Sequence, residues 1–186
     1  MTIAIIVLVV LAVVFVTYYN RLVKLRQTVR NAWSDIDVQL KRRHDLIPNL
    51  VETVKGYASH EQDTLDAVIK ARNSAIAASG PVEAAAAENQ LSGALRQLFA
   101  LSESYPQLRA VEGFTELQGS LKEIEAAVQS SRRYYNAVVR DYNTTIEQVP
   151  SNIVANAFRF EQEEFFELED LAERDVPRVD FGSSGD

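Results

Sequence analysis

Fourteen consecutive apolar residues, Ile3 through Val16, leave this chain few places to put its N-terminus. Thr17, Tyr18 and Tyr19 prolong the run without charge, and with Met1 and Thr2 the uncharged stretch covers residues 1–19. At ~1.5 Å of rise per residue, such a helix comes close to the ~30 Å hydrocarbon core of a bilayer. A helix packed on the surface of a soluble core keeps a polar face, and nothing breaks the apolar face of this one for fourteen residues. A cleaved signal peptide needs a basic leading region and small residues at the cut. No Lys or Arg precedes the run, and Phe15-Val16-Thr17-Tyr18-Tyr19 is bulky. Residues 1–19 are therefore predicted to be a single transmembrane anchor. Arg21, Lys24, Arg26 and Arg30 follow it before the first acid, Asp35. Positive flanks stay on the cytoplasmic side, which predicts a short external N-terminus and a cytoplasmic body. Arg21, Lys24 and Arg26 are also candidate contacts for lipid headgroups.

Beyond the anchor the apolar pattern stays helical. Val29, Trp33, Ile36, Leu40, Ile47, Leu50, Val54 and Tyr57 step by fours and threes, with Arg43 in the one seam position that is not apolar. A seven-residue repeat sustained this long is a bundle or coiled-coil seam. Pro48 lies inside it, removes a backbone donor and crowds the His44 carbonyl, so a kink or break is expected there. Ser59-His60-Glu61-Gln62 fits a capping box opening a second helix, with Leu65, Val68, Ile69 and Ile76 as its apolar stripe. Ser79-Gly80-Pro81 marks a turn into an Ala-rich third helix bearing Leu91, Leu95 and Leu98, which Tyr105-Pro106 closes.

The most regular seam comes next: Phe114, Leu117, Leu121, Ile124, Val128, Ser131, Tyr135, Val138, Tyr142, Thr145 and Val149, ended by Pro150. Unbroken, that helix would reach roughly 64 Å. A short amphipathic helix is expected over 151–160. Short connections make neighbouring helices antiparallel. The prediction is thus an all-α protein in which the transmembrane helix continues into an antiparallel bundle of four long helices (residues 20–160). Two half-length helices sit beside the far ends of the long pair. Near the anchor only two helices remain, so the 151–160 segment, a second copy or a partner helix must cover their seam.

Charge is unevenly placed. The net −7 of the chain comes from residues 161–186, which hold ten acidic and two basic residues. This segment is predicted to be a disordered tail. Phe165 and Phe166 near its start, together with Phe158 and Phe160 just before it, suit either a docking peptide or a strap on the bundle. The remaining body is near neutral and offers nucleic acid no basic surface.

Chemistry-bearing patterns are few. The chain has no cysteine and only two histidines, His44 and His60, in no metal-ligand spacing. No cofactor, metal or small-molecule substrate is implied. Asp35, Asp37, Asp45, Glu52 and Glu61 fall on polar faces among basic neighbours, as solvated helix surfaces do. His44-Asp45-Leu46-Ile47-Pro48 superficially resembles the phospho-acceptor box of histidine kinases, which makes His44 the site of an alternative, signalling reading. The proline is one residue early, and no Gly-rich nucleotide-binding region follows; an exposed histidine is the plainer expectation. Arg43 must find a carboxylate or reach water, and its expected role is to set register between helices.

Ala32-Trp33-Ser34-Asp35-Ile36-Asp37-Val38-Gln39-Leu40-Lys41-Arg42-Arg43 with Asp45-Leu46-Ile47-Pro48-Asn49-Leu50-Val51 resembles the LemA family. So do Tyr105-Pro106-Gln107-Leu108, the repeated pairs Tyr135-Asn136 and Tyr142-Asn143, Pro150-Ser151-Asn152-Ile153-Val154-Ala155, and Pro177-Arg178-Val179-Asp180-Phe181. Between Ala155 and Phe165 the chain departs from the family's glycine- and lysine-containing stretch. The resemblance implies a bacterial inner-membrane protein with one span and a helical bundle, and supplies no catalytic residues. It implies an interaction or accessory role in envelope quality control. The partner would be a membrane protease, another envelope protein or a second copy of the chain. Trp33, Arg43, Pro48, Asn136 and Asn143 are the candidate interaction or register residues.

Overall fold

The computed structural model describes residues 1–167, and every regular element among them is a helix. Helix α1 (Thr2–Lys55) is 54 residues long, about 81 Å. Among the described residues it is the one helix long and apolar enough to cross a membrane. Ile3 through Val16 are exposed, and at the inner end of this run the Phe15 ring lies 5.7 Å from that of Phe158. From Leu22 onward its inner face is buried: Val29, Ile36, Leu40, Arg43, Ile47, Leu50 and Val54 all point inward, as their spacing requires. Trp33 is half-buried, and Tyr57 lies past the helix end in solvent.

Pro48 does not break α1. The carbonyl of His44, which would have accepted the missing N–H, instead accepts Nε–H of Arg72 at 2.8 Å. A side chain on the next helix thus satisfies the group that the proline orphans.

Helix α2 (Gln62–Ala77) starts without the expected capping box: Gln62 Nε2 donates to the Ser59 carbonyl, and no side chain caps the helix. Its buried face is Leu65, Val68, Ala71 and Ala75, while Ile69 and Ile76 point to solvent, contrary to the sequence expectation. A turn through Gly80, at φ +78°, leads into α3 (Gly80–Ser102). Glycine adopts that angle without the Cβ clash other residues meet. The Glu83 carboxylate accepts the free Ser79 N–H at 3.1 Å. Leu91, Leu95 and Leu98 are buried as predicted. A one-turn helix α4 (Pro106–Arg109), unforeseen in the sequence, then leads to α5 (Glu112–Glu147).

Helix α5 has 36 residues, about 54 Å, and stops short of Pro150. Phe114, Leu121, Ile124, Val128, Tyr135, Tyr142 and Thr145 of the predicted seam are buried, but Leu117, Ser131 and Val138 are half-buried, Val149 is exposed, and towards the C-terminal end Val139 and Ile146 turn inside as well. A strict alternation of threes and fours averages 3.5 residues per turn, so on a 3.6-residue helix the inward face drifts one position over several heptads.

Helices α1 and α5 run antiparallel, and α2 and α3 pack beside their far ends. The distal core joins Ile47, Leu50 and Val54 to Leu65, Val68, Leu91, Leu98, Leu108 and Phe114. The proximal core joins Leu22, Val29 and Ile36 to Val128, Tyr135, Val139 and Tyr142. Its open side is closed by the chain itself. Helix α6 (Ser151–Ala157) is shorter than the expected 151–160 and turns Val154 and Ala155 inward, while Ile153 and, just past its end, Phe158 are exposed. Arg159, at φ +54°, ends the helix, and Phe160 N–H donates back to the Ala155 carbonyl at 2.9 Å. That is a Schellman closure with arginine in the position glycine usually takes.

Residues 161–167 do not hang free as the predicted disordered tail would. They run extended along α5, with Phe160 and Phe166 buried in the proximal core. The rest of the tail, including Pro177–Phe181, lies outside the described residues.

Candidate functional site

Two constellations stand out, one ionic and one built around the strap. The ionic one gathers around Arg43. Helix α3 carries Glu88 on its buried face, beside Ala84, Ala85, Ala87 and Leu91. Arg43 Nη1 donates to Glu88 Oε2 at 2.8 Å, and Nη2 donates to Ser92 Oγ and lies 2.9 Å from Glu125 Oε2 on α5. The second oxygen of Glu88 is 2.6 Å from His44 Nε2, an N–H···O bond when that nitrogen carries the proton. Glu88 is 1 % exposed, so its carboxylate has traded water for these two partners. One guanidinium therefore joins α1, α3 and α5. Nothing in the sequence marked Glu88, Ser92 or Glu125 as its partners, because they lie 45 or more residues away.

His44 is buried, contrary to the expectation of an exposed side chain. With Nε2 held against Glu88, that nitrogen is not presented to a phosphoryl donor. Next to it a shallow groove of about 480 Å³ opens between α1 and the α2–α3 turn, lined by Trp33, Lys41, His44, Asp45 and Ile76 among others. Partial burial at the rim holds the Asp37 carboxyl above its ordinary value. Among the described residues no three acidic or histidine side chains are grouped as a metal site would need.

The second constellation uses Asn136 and Asn143. Asn143 Nδ2 donates to the Glu163 carbonyl, and its Oδ1 accepts the Glu163 N–H, each at 2.9 Å. Asn136 does the same to Phe166, at 3.1 and 2.9 Å. Each carboxamide thus completes one residue of extended backbone as a neighbouring strand would. The spacing matches: seven helical residues rise ~10.5 Å, and three extended residues span ~10 Å. Tyr135 adds an O–H bond to the Glu164 carbonyl at 2.8 Å. Burial, with the nearby Glu163 and Glu164 charges, pushes the Tyr135 phenol up to about 12, and burial also raises Tyr142.

Trp33 belongs to this assembly. Its ring lies 5.4 Å from Tyr135 and 5.5 Å from Phe166, centroid to centroid. Of the proposed lipid flank, Arg21 and Lys24 are exposed, whereas Arg26 sits 4.8 Å over the Phe160 ring. The five interaction candidates therefore separate: Trp33, Asn136 and Asn143 hold the strap, Arg43 anchors the ionic cluster, and Pro48 lies exposed on the outer face of α1.

Comparison with known proteins matches residues 32–181 to the LemA family model. Magnetosome protein MamQ 2 of Paramagnetospirillum magneticum is 25 % identical over 175 residues, covering 80 % of this chain. The chain spans 64 % of that relative's length, and the same share of MamQ from Magnetospirillum gryphiswaldense, at 24 % identity. Protein LemA of Metamycoplasma hominis is 25 % identical over 167 residues, covering 88 % of this chain and 75 % of its own length. With the match running from the Trp33 region through the strap and into the tail, this chain belongs to the LemA family.

Proposed function

We propose that this protein is a single-pass, membrane-anchored scaffold whose helical body, on the cytoplasmic side, holds or contacts other proteins and carries out no reaction of its own. The observation that carries the reading is the continuity of α1. One helix runs from the apolar segment through Pro48 to Lys55 without interruption, so anchor and body form one rod. A catalytic domain tethered for convenience would gain from a flexible linker, whereas a presenting platform gains from a rigid one. The strong polar groups of the interior support the same reading. Arg43, Glu88 and His44 are engaged with one another, and Asn136 and Asn143 with the strap. The positive residues after the span support the cytoplasmic side, and the exposed α1 surface beside the groove is the face offered to a partner.

The partner is a protein of the same bilayer: a membrane protease, another envelope protein or a second copy. The test is affinity purification of the full chain from its native membrane after cross-linking. Lys41→Glu with Ile76→Asp, both at exposed groove positions, should lose a reproducible partner while the melting temperature holds. Purification that yields the same proteins for both chains, or none, sinks the scaffold reading. The signalling alternative needs phosphate on His44; its absence from the protein isolated from stressed cells would close that route.

A further inference from the structure

At the end of α5 the chain leaves apolar side chains uncovered although it has the means to cover them. Val154 and Ala155 of α6 are packed inward, yet Val149 is 79 % exposed, Ile153 63 % and Phe158 49 %. Burying apolar side chains of this size is favourable, so their exposure to water forfeits a sizeable stabilisation. Their position says what covers them. The Phe158 ring lies 5.7 Å from Phe15 and 4.6 Å from Tyr19, at the inner end of the apolar run of α1. Helix α5 descends towards that same end, and Ile146 in its last turn shares a core cluster with Leu22. A bilayer that accepts Ile3–Val16 has its headgroup boundary at this level, where aromatic side chains collect.

We propose that Val149, Ile153 and Phe158 form a second membrane contact, inserted at the headgroup–acyl boundary of the bilayer that holds the span. This rests on the membrane-anchored reading above. The contact is apolar in character: Glu147 and Glu161 flank the segment against the single positive charge of Arg159, so anionic lipid is not required. Three side chains alone would bind a membrane weakly. Tethered by α1, they meet it at high effective concentration, and the insertion becomes intramolecular. Its consequence is geometric, since a second point of attachment fixes the tilt of the rod and its rotation about the anchor.

The chain contains no cysteine, so a single nitroxide label can be placed at will. Full-length Val149→Cys, Ile153→Cys, Val10→Cys and His60→Cys proteins would be labelled and reconstituted in phosphatidylcholine vesicles, and again with phosphatidylglycerol added. Collision with oxygen is then compared with collision with a water-soluble nickel chelate. The expected result is a several-fold higher oxygen-to-nickel ratio at positions 149 and 153 than at 60, alike in both lipids, with position 10 deeper still. Positions 149 and 153 matching position 60 while position 10 is in lipid would overturn the second contact and leave the anchor standing. Low access to both reagents at 149 and 153 would mean that protein covers this face, which also overturns it. An aqueous position 10 would remove the anchor reading and the contact together.

Discussion

At the scale of single residues, the least replaceable group is Arg43, because its worth depends on what it leaves behind. Taking a guanidinium and a carboxylate out of water costs several kcal/mol each, and their attraction roughly offsets that. Removing only one partner strands the other. Arg43→Met should therefore destabilise the fold by about 3–5 kcal/mol, with Glu88 left buried and unpaired by any cation of fixed charge. Arg43→Met combined with Glu88→Leu should recover most of the loss. Urea unfolding of both proteins checks this, and equal stabilities for single and double variants would refute it. Tyr135 offers a pH test. Its phenol is pushed up to about 12 in the fold, above the ordinary value of 10, so the folded state favours the protonated form. That contribution is intact below pH 10 and is lost as pH rises from 10 through about 12, on the order of 2 kcal/mol. Tyr135→Phe should flatten most of the fall in melting temperature over that window, and the raised Tyr142 should account for part of the remainder.

At the scale of elements, two segments owe their conformation to side chains on other helices. Helix α1 passes through Pro48 because Arg72 of α2 donates to the carbonyl that the proline orphans. The strap is extended because Asn136 and Asn143 each supply both halves of a backbone pairing. Four hydrogen bonds of about 0.5–1.5 kcal/mol each, with the burial of Phe166, hold it down. Asn136→Ala with Asn143→Ala should release it while the bundle persists. Trp33 is the single tryptophan and touches Phe166, so its fluorescence reads the outcome directly. Emission should shift to the red at unchanged helix content. An unmoved emission maximum would mean that the strap stays docked without its clamps.

At the scale of the whole molecule, the question is whether two cores make one cooperative unit. Leu46 and Ala78 pack against both clusters, and the Arg43 network lies between Leu40 and Ile47, where one core gives way to the other. A shared boundary of this kind makes partial unfolding expose both cores, which favours a single transition. Thermal unfolding in micelles followed by Trp33 emission, in the proximal core, should coincide with the loss of helix, which both cores report. Leu46→Ala should separate the two curves if the seam carries the coupling; coincident curves in that variant would place the coupling elsewhere.

Much of this architecture was written in the order of residue types. An apolar run without a polar face, flanked by cations, specifies a candidate span. Two long seven-residue repeats with Pro and Gly between shorter helices specify an antiparallel all-α bundle, because periodicity is a local property that any stretch of sequence displays by itself. Arg43 could be recognised as needing a partner for the same reason. Which carboxylate answered it could not, since Glu88 and Glu125 come from other helices and any exposed acid looks alike in sequence. The rescue of Pro48 by Arg72, the inward turn of His44 and the docking of residues 161–167 belong to the same class. Each is settled by a group 20 to 44 residues distant, brought within 3 Å only once the helices have packed.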